Sequence, residues 1–305
     1  MTPEEKFTVK NAKTMHLTEM EALSRQKPID IAFVSMKSYD TEWATALIKQ
    51  YLAPDGYVVS LQNCLNEERI AGVVGWGKTV GMVASLISVD MFEPARIRRT
   101  VAKGGDKHTV FRVGEVHGRI TKRVEELRDM VGRIDSAKTT TNLWGERWSK
   151  LCQNGMKNGV SAATGLTGAD CDRNDAIRRF SIKLGGEAVP GRPGAGLPHR
   201  EDRQVRARDA GQGVRKATRR RSTRSRRILR PGSNTNPNPR ADIQRPSMAQ
   251  DIRKGRRTEI EFMNGYIADR GNYIGVPAPT HTKLTEIIVK VERQRSRCAH
   301  GLLGG

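Results

Sequence analysis

The sequence predicts an α/β domain followed by an all-helical one, and two observations predict it. Up to about residue 135, apolar runs of strand length alternate with amphipathic segments of helix length, at the spacing of βαβ units. Beyond Asp135-Ser136 the apolar period is helical throughout. The expected boundaries are residues 1–135 for the α/β domain and 136–305 for the helical domain. Ligands of such proteins bind beyond the carboxyl ends of the strands, in the cleft between the domains.

Taken in order, Ile29 to Met36 reads as a buried strand and Thr41 to Leu52 as a helix with Ala44, Leu47 and Tyr51 on one side. Tyr57 to Leu61 is the next strand, Asn66 to Val74 a short helix, and Val80 to Val89 a further strand. This order implies a parallel sheet. His108 to Val116 adds one more strand, and Ile120 to Ile134 a helix whose apolar face is Val124, Leu127, Val131 and Ile134. Helices then follow over Trp144 to about Ala163, Asp175 to Leu184, Ser247 to Arg270, and Lys283 to about Arg295. The last has a stripe of Leu284, Ile287, Ile288 and Val291.

The first of these helices carries the most chemistry. Lys150, Asn154 and Asn158 stand four residues apart. An i, i+4, i+8 series drifts about 40° and climbs about 6 Å per step, so the three side chains share one helix face. One ammonium and two amides suit a small molecule with a carboxylate, a carbonyl and hydroxyls. A solvated helix face would produce the same spacing.

Composition points elsewhere. Only 36% of the 305 residues are hydrophobic and 5% aromatic, and the net charge is +21. The charge is uneven, because Ala188–Pro231 holds fourteen Lys and Arg against three Asp and Glu. That segment cannot bury enough apolar surface to offset its conformational entropy, so it is expected to be disordered. Its arginines would bind nucleic acid only non-specifically, since it has no aromatic ring to stack on bases. Cys64, Cys152, Cys171 and Cys298 show no metal-ligand or dithiol spacing, so no metal site is expected. No run of 18 apolar residues and no signal core occur, which predicts a cytoplasmic protein with no membrane partner.

Several separated motifs resemble those of the 2-dehydropantoate 2-reductase (ketopantoate reductase) family. They are Phe33-Val-Ser-Met-Lys37-Ser-Tyr-Asp-Thr41, Val59-Ser-Leu-Gln62-Asn63, Trp148-x-Lys150-Leu-x-x-Asn154-x-x-x-Asn158, and Pro246-Ser247-Met-x-Gln250-Asp251. Gly255-x-x-Thr258-Glu259-Ile-x-x-x-Asn264-Gly265 and Gly275-Val-Pro277-x-Pro279 follow. The resemblance implies a Rossmann-like NADP-binding domain, a helical domain that binds substrate and dimerises, and NADPH-dependent reduction of 2-dehydropantoate or a related 2-oxo acid. It further implies Lys150 as general acid, Glu259 as a catalytic residue linking cofactor and substrate, and Asn154, Asn158 and Ser247 as substrate-binding residues. Lys37 and Asn63 would line the nicotinamide side of the cofactor, and the protein would form a homodimer. Two other readings stand beside these: Glu259 as a helix surface charge next to Arg256 and Arg257, and Ser247 as a helix N-cap.

Three departures from the family pattern carry expectations of their own. No strand followed by G-x-G-x-x-G opens the chain, so the nucleotide domain is expected to be truncated at its N-terminus and to grip the cofactor weakly. The abrupt Arg, Gly and Pro enrichment of Ala188–Pro231, between flanks that read as family sequence, has the composition of an out-of-frame reading. An inactive gene remnant is the corresponding alternative to an enzyme. Lastly, Cys64 replaces the glycine that follows Gln-Asn in the motif, a change expected to tighten the turn near the cofactor.

Overall fold

A computed structural model describes residue 6, residues 8–189 and residues 245–301. The segment expected to be disordered therefore lies outside the described residues, apart from Ala188 and Val189. The chain divides into two compact units, Met1–Glu146 and Arg147–Gly305.

In the first unit a 3-10 stretch, Leu17–Arg25, precedes β1 (Ile29–Val34), α1 (Thr41–Lys49), β2 (Leu52–Ser60), α2 (Glu67–Val74) and β3 (Thr79–Ala84). A hairpin of β4 (Val89–Glu93) and β5 (Arg96–Arg99) follows, then β6 (Phe111–Glu115), α3 (Lys122–Gly132) and β7 (Ala137–Thr139). Five strands form one sheet in the order β1-β2-β3-β6-β7. The first three run parallel, because α1 and α2 supply the crossovers that parallel neighbours need. β6 is antiparallel to β3, so the expected parallel sheet is corrected to a mixed one. Its cause lies in the segment between β3 and β6, where a two-stranded hairpin stands in place of a crossover helix.

Period-2 alternation sorts the sheet's side chains into two layers. Tyr57, Val59, Val80, Met82 and Val113 pack with Val124, Leu127 and Val131 of α3 on one face. Val58 packs with Ala32, Val34 and Ile70 on the other. Each valine buried in this way stabilises the fold by about 1.5–3 kcal/mol. Ile134, predicted on the apolar face of α3, is 59% exposed, because the helix stops at Gly132 and the chain leaves the helical face. β2 begins five residues earlier than predicted, with an irregular register against β1. Gly56 sits there against β1, where a Cβ would lie 2.6 Å from the Ile29 carbonyl oxygen.

The start of α3 is fastened to the end of β6. Glu115 accepts hydrogen bonds from Thr121 Oγ1 at 2.6 Å and from Arg123 Nε and Nη2 at 2.7 Å. Burial alone would raise the Glu115 carboxyl, but the bonds from Arg123 and Thr121 outweigh it and hold its pKa below the ordinary value.

α4 (Leu143–Thr164) starts in the first unit and continues into the second, where α5 (Gly168–Arg173), α6 (Asp175–Ala188), α7 (Ser247–Arg253), α8 (Tyr266–Tyr273) and α9 (Pro279–Gly301) follow. The single helix predicted from Ser247 to Arg270 is broken. Gly255 adopts φ +66°, with Arg256 N–H donating to the Asp251 carbonyl and Gly255 N–H to that of Ile252, a glycine stop for α7. The chain restarts in a π-helical turn, Glu261–Gly265, that runs into α8. α4 packs through small residues: a Cβ on Gly159 would lie 2.9 Å from Leu284, and one on Gly185 of α6 would lie 2.8 Å from Met156. Leu184, Ile260, Ile267 and Ile288 complete this core.

Candidate active site

The predicted site residues fall into two groups, one in each unit. In the first unit, Lys37 lies three residues past the end of β1 and Asn63 three residues past the end of β2. The strands are parallel neighbours, with Val34 opposite Ser60, so both residues stand at the carboxyl end of the sheet. Both are half-buried.

Two buried amides tie these turns together. Gln62 Nε2 donates to the Met36 carbonyl at 2.8 Å and to Thr41 Oγ1 at 2.9 Å. Asn66 Nδ2 donates to Ser38 Oγ at 3.1 Å and to the Asn63 carbonyl at 2.9 Å. Between them, Cys64 has φ +64°, the left-handed backbone that glycine adopts without strain.

In the second unit, Lys150, Asn154 and Asn158 lie along α4 as its period requires. Lys150 and Asn154 are half-buried and Asn158 is buried, because each four-residue step rotates the series toward the packed side of the helix. Glu259 is 5% exposed and sits at a bend just ahead of the π-helical turn, so the surface-charge reading does not hold. Its neighbours are fixed from α9 and locally: Thr258 N–H donates to Glu292 Oε1 at 2.7 Å, and Ile260 N–H to Thr258 Oγ1 at 3.2 Å. Ser247 is the first residue of α7, with Pro246 at the cap position, so it is not the N-cap. The start of α7 is joined to the end of α4 by Arg245, whose Nε donates to the Gly165 carbonyl at 3.3 Å.

A buried polar link binds α4 to the Glu259 segment. Asn264, fully buried in the π-helical turn, donates through Nδ2 to the Gly155 carbonyl at 2.9 Å and lies 3.0 Å from His281 Nδ1. His281 Nε2 is 2.9 Å from the Leu184 carbonyl, and that bond makes Nε2 the protonated nitrogen and Nδ1 the acceptor. Burial lowers the His281 pKa, against the opposing effects of the Leu184 carbonyl and Glu187, and keeps the ring neutral. Gln62 and Asn264 lie within the family motifs, but nothing in the sequence assigns a role to them or to Asn66. Which amides are buried depends on tertiary packing.

A cleft of about 490 Å³ in the first unit is lined by Trp76, Gly77, Val116, His117, Arg123 and Trp144 and holds none of the predicted residues. Trp76 and Gly77 precede β3, so it lies at the opposite end of the parallel strands from Lys37 and Asn63. Among the described residues, no group of three or more His, Cys, Asp or Glu gathers as a metal site, and no helix is long and apolar enough to cross a membrane.

Comparison with known proteins agrees with this fold. The family model described as ketopantoate reductase PanE/ApbA matches residues 3–110, and its C-terminal counterpart matches residues 142–292. The 2-dehydropantoate 2-reductase of Archaeoglobus fulgidus is 26% identical over 280 residues, 88% of this chain and 79% of that protein. Among solved structures, a PanE/ApbA family ketopantoate reductase from Ralstonia eutropha superposes with a TM-score of 0.72 at 22% identity, covering 97% of this chain and 84% of that one. A D-mandelate dehydrogenase solved with NADH and anilino(oxo)acetate has a TM-score of 0.66 at 16% identity, covering 89% and 79%. The N-terminal model is matched from residue 3, so the expected truncation of the nucleotide domain is not supported. The two models together span most of the chain, and the protein belongs to the ketopantoate reductase family of oxidoreductases, with a Rossmann-like NAD(P)-binding domain followed by a helical one.

Proposed function

We propose that this protein reduces 2-dehydropantoate, or a closely related 2-oxo acid, to the 2-hydroxy acid with NADPH. The observation that carries the reading is the α4 face of Lys150, Asn154 and Asn158, together with the burial of Glu259. In this reading Lys150 donates a proton to the ketone oxygen and stabilises the negative charge that develops on it. Asn154 and Asn158 orient the substrate through their amides, and Ser247 binds its carboxylate region. Glu259 links cofactor and substrate. Lys37 and Asn63 fit the nicotinamide end of the cofactor, as an ammonium and an amide held at the carboxyl ends of adjacent parallel strands. When bound, the cofactor supplies the hydride. NADH, present in the related D-mandelate dehydrogenase structure, is the alternative donor. A homodimer belongs to the same reading, since a Staphylococcus aureus ketopantoate reductase is described as dimeric.

The test is an assay of the purified protein with 2-dehydropantoate and a panel of branched 2-oxo acids, each with NADPH and with NADH. The expected result is oxidation of NADPH dependent on a branched 2-oxo acid. No turnover with any acid and either cofactor would overturn the reading.

A further inference from the structure

We infer that Gln62 and Asn66 are positioning residues for the cofactor, which set the placement of Lys37 and Asn63 without touching the cofactor themselves. The inference rests on the reading of Lys37 and Asn63 as cofactor-binding residues, and adds what holds them in register. Lys37 is bracketed: the carbonyl of the residue before it, Met36, accepts from Gln62 Nε2 at 2.8 Å, and the hydroxyl of the residue after it, Ser38, accepts from Asn66 Nδ2 at 3.1 Å. Asn63 is held by the same amide, which donates to its carbonyl at 2.9 Å. One asparagine therefore touches both turns.

The side chains of this clasp are out of solvent, whereas the backbone of Met36 and Asn63 is only partly covered. Gln62 is 6% exposed, and Asn66, Ser38 and Thr41 are at most 1% exposed. Breaking the buried bond from Gln62 to Thr41 or from Asn66 to Ser38 leaves an acceptor without water to replace the donor, so the turns respond to its loss. The pairing of β1 with β2 ends at Val34 and Ser60, and the last ladder-like bond is Leu61 N–H to the Val34 carbonyl at 2.9 Å. Past that bond, the side-chain amides of Gln62 and Asn66 cross-link the two turns. The sheet fixes where the strands end, and the two amides fix where Lys37 and Asn63 go from there. Cys64, in a left-handed conformation between Gln62 and Asn66, lets both amides point at the same neighbouring turn.

The test compares Gln62→Ala, Asn66→Ala, Lys37→Ala and Asn63→Ala by NADPH fluorescence titration, thermal melting and amide hydrogen exchange. Asn66→Ala and Gln62→Ala are each expected to weaken NADPH binding about tenfold. They should raise KM for NADPH while leaving KM for the 2-oxo acid at saturating NADPH unchanged, and should speed exchange over residues 35–38 and 61–66. In a Lys37→Ala, Asn63→Ala background, the effect of Asn66→Ala on binding should shrink to less than about threefold, because it acts through those residues. If Asn66→Ala does not fold, Asn66→Ser and Gln62→Ala make the same comparison. Unchanged NADPH affinity in both amide variants, or full additivity with the double background, overturns the inference while the cofactor reading stands. Unchanged affinity in Lys37→Ala and Asn63→Ala overturns the cofactor reading itself, and the inference with it.

Discussion

Lys150 stands half-buried one helical turn before Asn154, so its ammonium can meet a ligand while its stem packs along α4. A general acid contributes about 10²- to 10⁴-fold, and Lys150→Ala is expected to lower kcat by that factor while leaving NADPH binding largely intact. A variant with more than about a tenth of the parent kcat would remove Lys150 from that role. Cys64 is legible in a different way. Its φ of +64° costs a β-branched residue far more than glycine, so Cys64→Val should lower stability by more than about 1 kcal/mol, whereas Cys64→Gly should be tolerated within about 1 kcal/mol. Chemical denaturation of both variants checks this. Cys152, 3% exposed on α4, has its thiol pushed up to about 12 by burial, against an opposing backbone hydrogen bond. Alkylation of the native protein at neutral pH, read by peptide mass spectrometry, should therefore leave Cys152 unlabelled until the protein unfolds.

At the scale of elements, helix ends are decided by partners far away in sequence. α9 begins at Pro279, four residues before the predicted start at Lys283, because Glu187 at the end of α6 caps it. The Glu187 carboxylate accepts from Thr280 N–H at 2.8 Å, from His281 N–H at 3.3 Å and from the Thr280 hydroxyl. Glu187→Ala should cost about 1–2 kcal/mol, measured by urea unfolding. Proline at a helix's first turn was a readable signal, but the cap was not. α6 in turn runs to Ala188, past its predicted end at Leu184, and the Ala188 carbonyl accepts from Trp148 Nε1 of α4 at 3.3 Å. The same packing creates a pH dependence. His281 is held neutral by burial, whereas in the unfolded chain it takes up a proton near pH 6.5. Between the folded and unfolded values the unfolded state binds more protons, so this contribution is complete above about pH 6.5 and is lost as pH falls below it. Melting temperatures from about pH 7.5 to about pH 5.5 should fall in the parent, and fall less steeply in His281→Gln.

For the whole molecule, the proposed reading has a dinucleotide bind at the carboxyl end of β1 and β2, and a ligand that binds only the folded chain stabilises it by mass action. NADPH at about a hundred times its dissociation constant should add about 2.7 kcal/mol of stability. A thermal shift larger with NADPH than with NADH would support the proposed cofactor, and equal shifts would remove the preference. Light scattering of the same sample should report twice the monomer mass of 33.9 kDa, and a monomer would remove the homodimer.

The alternation of strand and helix up to Asp135, the long helix carrying Lys150, Asn154 and Asn158, and the motif order that names the family were all legible in the sequence, because each is a local pattern or a spacing along one element. Gly255, too, was a readable helix stop inside the segment predicted as one helix. The antiparallel setting of β6 was not readable, since strand direction depends on what fills the connection from β3, and the β4–β5 hairpin there has a weak pattern of its own. Nor was the burial of Glu259, which follows from anchoring its segment to Glu292 on α9 and to α4 through Asn264. The amide clasp of Gln62 and Asn66 belongs to the same class. A hydrogen bond between residues more than twenty positions apart has no signature in either local stretch, and only the folding of β1 beside β2 brings its donor and acceptor together.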